Sequence, residues 1–127
     1  MNLPVRLLPE AKSEFDVAME NKAEQTARLF LAQVNNRFDT AGAILFGSQA
    51  RNDAQSDSDA DVVVLLRGKP GRRLDLALEM ADMAFDVMLV TGLLIDALPI
   101  WEEEWQHPET FNNPALLENI RREGIWL

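Results

Sequence analysis

AILFGSQARNDAQSDSDADVVVLL, residues 43–66, is an apolar segment that runs into Gly47-Ser48, then a polar excursion, then a second apolar segment beginning on Asp59-Ala60-Asp61. Side chains at i and i+2 of a strand project from one face about 6.6 Å apart, so Asp59 and Asp61 point together. Each apolar segment is unbroken rather than alternating, the pattern of strands covered on both faces. The expected strands are 41–46 and 62–66, with Val63 and Leu65 on the face of Asp61 and Val62, Val64 and Leu66 packed against helices opposite.

Gly47 lacks a Cβ, which lets the backbone bend sharply and approach a phosphate closely. Ser48 adds a hydroxyl where a short helix can begin, and free N–H groups there favour anions. Arg51, about one helical turn on, either reaches a phosphate with its guanidinium fork or pairs with Asp53 or Asp57 at the surface. Further along, FDVMLV, residues 85–90, reads as a third strand that opens on Asp86. Paired beside Asp61, this strand would complete a cluster of three carboxylates, hard oxygen donors suited to Mg²⁺ or Mn²⁺. Two carboxylates about 5 Å apart repel by roughly 3 kcal/mol at an effective dielectric near 20, so such a cluster calls for a cation. Two ions about 3.5–4 Å apart suit in-line displacement at phosphorus. Taken alone, Asp-x-Asp is an ordinary solvated turn and Gly-Ser is weaker still. Their conjunction, each beside an apolar strand, points to a site.

Gly47-Ser48, ten residues, then Asp59-x-Asp61, with Asp86, resembles the signature of the DNA polymerase beta-type nucleotidyltransferase superfamily, and within it the minimal nucleotidyltransferase (MNT) proteins. The segment NPALLENIRREGI, residues 113–125, is similar to the end of those small proteins, and the likeness covers most of residues 40–127. Asn52 stands where such proteins often carry glycine, and Ala60 where a branched residue is usual. The resemblance implies an α+β nucleotidyltransferase fold, a small mixed sheet of three or more strands packed against helices, with a long N-terminal helix. It implies transfer of AMP from ATP to a hydroxyl, with Asp59 and Asp61 holding two Mg²⁺ ions. Asp86 would ligate the catalytic ion and help deprotonate the acceptor, while Gly47, Ser48 and Arg51 position the triphosphate. It further implies a partner: MNT proteins act as antitoxins that adenylylate a tyrosine of a HEPN-domain ribonuclease toxin, in a hetero-oligomer. A binding-only antitoxin and a small-molecule nucleotidyltransferase are the rival readings.

The rest of the chain frames this centre. Its 127 residues, 47% hydrophobic, fit one domain. We divide it into a helix over about 9–38, a catalytic core over about 40–98 and a C-terminal segment 99–127. The net charge of −9 argues against a nucleic-acid backbone as main partner, since binding a polyanion needs a basic face. The absence of cysteine excludes disulfides and thiolate metal sites. No apolar run has bilayer length and the first residues open no signal peptide, so the cytoplasm is the expected compartment.

Phe15, Met19, Ala23, Thr26, Phe30, Val34 and Phe38 recur at helical spacing, with a capping pattern at Ser13 to Asp16. Arg67, Lys69, Arg72 and Arg73 flank the Gly68 to Gly71 turn, as a solvated turn or a local contact for nucleotide or an acidic partner. A helix over 72–84, a short one over 92–98 and a last one over 114–123 ending at Gly124 complete the expectation. Trp101, Trp105 and Phe111 either pack on the domain or face a partner. His107 precedes a proline in what reads as a loop.

Overall fold

In the computed structural model of the chain, residues 14–51 and 59–127 are described, with the backbone alone at 14–21, 48 and 51. The elements follow in the order α1 (Glu14–Arg37), β1 (Thr40–Phe46), α2 (Gly47–Arg51), β2 (Ala60–Leu66), α3 (Arg73–Thr91), β3 (Ile95–Trp101), α4 (Glu102–Gln106), a 3₁₀ turn (Pro108–Thr110), α5 (Pro114–Glu123) and β4 (Ile125–Trp126). The strands form one mixed sheet in the order β3-β2-β1-β4. β1 runs antiparallel to β2 and β4, whereas β3 is parallel to β2 through the α3 crossover. This is the α+β fold expected, a mixed sheet packed against helices.

Both faces of β2 are buried, as its unbroken apolar run requires. On one face Val62, Val64 and Leu66 meet Ala23, Ala27, Phe30 and Val34 of α1 and Met80, Met83, Ala84 and Val87 of α3. On the other, Val63 and Leu65 meet Trp105 of α4, Phe111 and Leu117 and Ile120 of α5. The capping residues near Ser13 lie outside the described residues, as do the side chains of Phe15 and Met19.

Two boundaries differ from expectation, and together they matter for the site. Residues 85–90 are not a strand: α3 continues to Thr91 and ends on Gly92, which takes a left-handed φ of 81° and donates its N–H to Met88 O at 2.7 Å. The buried residues Met80, Met83, Ala84 and Val87 recur at helical spacing, and no glycine or proline interrupts the chain between Gly71 and Gly92. The third strand is instead Ile95–Trp101, where a short helix over 92–98 was expected. Pro99 sits inside it, which β3 tolerates because it is an edge strand, with β2 on one side only.

The aromatic segment packs inward: Trp101, Trp105 and Phe111 are all buried. Arg73 holds them, partly buried against their rings rather than free on a solvated turn. Its guanidinium forms a two-pronged pair with Glu104 at 3.0 and 2.5 Å, donates to Pro99 O at 2.8 Å, and lies 5.0 Å from the Trp101 ring and 5.1 Å from the Phe111 ring. The Glu104 side chain is 6% exposed and also accepts the Trp101 N–H at 3.2 Å. The other basic residues near the turn do face solvent, Arg67 pairing with Asp39 and Arg72 with Asp75, each at 2.8 Å. Gly124 follows α5 where a Cβ would collide with Ile44 Cγ2, so only glycine lets the chain turn there into β4.

Removing one partner of a buried ion pair strands the other charge. Arg73→Ala, which leaves the 6%-exposed Glu104 carboxylate without its cation, should therefore cost about 3 kcal/mol in urea unfolding at neutral pH, while Asp39→Ala, which breaks an exposed pair, costs about 0.5 kcal/mol or less.

Candidate active site

Antiparallel pairing of β1 with β2 sets Phe46 opposite Asp61, which carries the next residue, Gly47, onto the Asp61 carboxylate. The contact is so close that a Cβ at Gly47 would collide with Asp61 Oδ2. Gly47 has φ 75°, a conformation that L side chains avoid, and it begins α2. Gly47 and Asp61 thus come together as the sequence spacing implied. Asp59 stands exposed one residue before β2. The Ser48 and Arg51 side chains, and all of residues 52–58, lie outside the described residues.

Asp86 does not join this group. It lies on the exposed face of α3, and α3 packs on the sheet face opposite to that of Asp61. The carboxylate in the neighbouring strand is Asp96, whose Cα pairs with that of Asp61 in the parallel β2–β3 register. Neighbouring strands lie about 4.8 Å apart, and register partners in a parallel pair project to the same face. Leu98 and Ile100, which alternate with Asp96, pack into the same layer as Val63 and Leu65, which alternate with Asp61. Asp96 is exposed and Asp61 half-buried, so the pair opens toward solvent at one end of the sheet. Sequence reasoning passed over Asp96 because the proline three residues later made IDALPIW look like the end of a helix. The usable signal was Gly92, the first stop after a long helical pattern, followed by a short apolar run with an acid near its start.

A cavity of about 200 Å³ opens beside Gly47 on this face, lined by Phe46, Gly47, Leu116, Asn119, Ile120 and Glu123. α5 forms its outer wall. Asn113 caps α5 by accepting the Leu116 N–H at 3.3 Å, and Arg121 anchors the helix by donating to Trp105 O at 2.5 Å with its guanidinium 4.1 Å from the Trp105 ring. His107, in the loop after α4, pairs at the surface with Glu109 at 3.6 Å.

Comparison with known proteins bears on the family and the fold. The family model of the nucleotidyltransferase domain matches residues 27–127. The chain belongs to that family. The chain is also similar in structure to the crystal structure of a candidate nucleotidyltransferase from Sulfolobus solfataricus, with a TM-score of 0.58 and 21% identity over 76% of this chain and 83% of that one. At that identity the likeness concerns the fold. No curated protein sequence matches the chain. Family membership supports a nucleotidyltransferase, of a domain type that uses nucleoside triphosphates and divalent metal ions. Among the described residues no three acidic or histidine side chains already converge on one point. The donor chemistry nonetheless fits a hard divalent cation: two in-register aspartates on adjacent strands, a third before the strand, and the backbone of Gly47 close against Asp61. Among the described residues no helix is long and apolar enough to cross a membrane.

This arrangement separates Asp96 from Asp86 experimentally. Mg²⁺ with ATP should raise the melting temperature of the wild-type chain and of Asp86→Asn alike, whereas Asp61→Asn and Asp96→Asn should lose the response. Gly47→Ala should lose the response too, and melt lower than wild type by about 1–2 kcal/mol of left-handed backbone strain.

Proposed function

We propose that this nucleotidyltransferase is a protein adenylyltransferase, which moves AMP from ATP onto a tyrosine hydroxyl of a HEPN-domain toxin and so neutralises it. The observation that carries the catalytic part is the register of Asp61 with Asp96 directly beside Gly47. Asp59, Asp61 and Asp96 are the acids of the site; Asp96 takes the place first expected for Asp86. When bound there, Mg²⁺ supplies charge neutralisation of the triphosphate and of the transition state.

Gly47, Ser48 and the start of α2 bring backbone N–H groups to the triphosphate, with Arg51 at its outer phosphates. The cavity against α5 receives part of the nucleoside. Asp96, at the exposed edge of the sheet, faces the incoming hydroxyl and accepts its proton. The hydroxyl oxygen forms its bond to the α-phosphorus as the bond from that phosphorus to the bridging oxygen breaks, and pyrophosphate leaves in line. Positioning and electrostatics do nearly all of this, and no covalent intermediate with the protein is needed.

Support for a protein acceptor comes from the resemblance to MNT antitoxins and from the open, edge-on setting of the acids.

Coexpression of the chain with the product of its neighbouring gene tests the proposal by intact mass. The partner should gain one or more AMP-sized increments with wild type and with Asp86→Asn, and none with Asp59→Ala/Asp61→Ala or Asp96→Ala. A neutralised partner without any increment would instead establish silencing by docking alone.

A further inference from the structure

The outer face of α3 carries a row of exposed apolar side chains. Leu74 is 71% exposed, Leu78 59%, Phe85 51% and Leu89 68%, with the exposed Ala81 between them. The spacing 74, 78, 81, 85 is that of a helix seam, and the row extends about 22 Å to Leu89 at 1.5 Å per residue. It points away from the core side of the same helix, which is Met80, Met83, Ala84 and Val87. So long an exposed apolar row marks an interaction surface.

Its charge says what covers it. An acid follows the first four row residues in turn: Leu74-Asp75, Leu78-Glu79, Ala81-Asp82 and Phe85-Asp86. At 100° per residue all four carboxylates fall along one flank of the row. Asp75 and Glu79 are answered within the chain, by Arg72 at 2.8 Å and Arg37 at 2.7 Å. Asp82 and Asp86 have no ion pair among the described residues. A second copy of the chain is a poor match. Two copies packed antiparallel by a two-fold axis bring acidic flank against acidic flank, and parallel packing aligns the helix dipoles and offers no base to either acid.

We propose that this face docks a helix of another protein, one whose apolar row is bordered by lysine or arginine opposite Asp82 and Asp86. The net charge of −9 steers such a basic partner toward the chain. The surface does not depend on which reaction the carboxylates carry. α3 leads through Gly92 into β3, whose second residue is Asp96, so the Leu89 end of the row lies at the same end of the sheet as the acids, on the opposite face.

Two synthetic three-heptad helical peptides with the same leucine row, one flanked by lysine and the other by glutamate, test this on the full chain by fluorescence anisotropy at near-physiological salt. The lysine peptide should bind at least about tenfold more tightly than the glutamate peptide. Leu78→Ser/Phe85→Ser, at exposed positions, should lose that binding, and Asp82→Lys/Asp86→Lys should reverse the preference toward the glutamate peptide. Equal affinity for both peptides would overturn the proposal. So would undiminished binding in the serine variant, which would mean attraction by overall charge alone. Sedimentation showing that the free chain is a dimer split by Leu78→Ser/Phe85→Ser would also overturn it, by assigning the face to a second copy.

Discussion

Burial of β2 on both faces and along both edges is the constraint on which the rest of the molecule depends. Five consecutive apolar residues, Val62 to Leu66, leave no side of this strand that water can satisfy. One face recruits α1 and α3, the other recruits α4 and α5, and the strand's two edges take β1 and β3. The antiparallel edge delivers Gly47 to the first acidic turn of β2, and the parallel edge delivers Asp96. The candidate site is thus the polar end of the most apolar strand, the place where its neighbours converge before the chain reaches solvent.

The parallel edge needs a crossover, and α3 supplies it. A helix in that role must hold its start and its end against the strand it leaves and the strand it enters. Arg73 and Glu104 secure the start by tying α3 to β3 and α4 through a partly buried pair beside Trp101 and Phe111. Gly92 secures the end with its left-handed turn. Between these two fixed points only one stripe of α3 is needed for the core, which leaves its outer face available for an apolar row with an acidic border.

The acids stand where the sheet opens. Asp61 and Asp96 are register partners on adjacent strands, whose axes lie about 4.8 Å apart, and both project to one face. Asp61 is half-buried and Asp96 exposed, so this end of the sheet faces solvent. The same openness gives an acceptor room to approach the edge of the sheet.

By itself the sequence determined the local features. The apolar runs named β1 and β2, helical spacing named α1, Pro114 and Gly124 bracketed α5, and the interval from Gly47-Ser48 to Asp59-Ala60-Asp61 located the turn and its first two acids. Each of these is written in side-chain size, polarity or backbone freedom within a few residues. Only the tertiary structure decided which carboxylate stands beside Asp61. FDVMLV suits a strand by composition, yet Val87 and Ala84 are buried as neighbours of Met80 and Met83 on one helical stripe, and that stripe exists only because the sheet lies beneath it. IDALPIW, with a proline in its middle, becomes a strand because an edge position leaves that proline's missing N–H without consequence. Arg73 likewise looks like a surface charge until β3 and α4 close around it. Strand pairing and layer burial are properties of distant segments brought together, and so the third acid had to be read from the register.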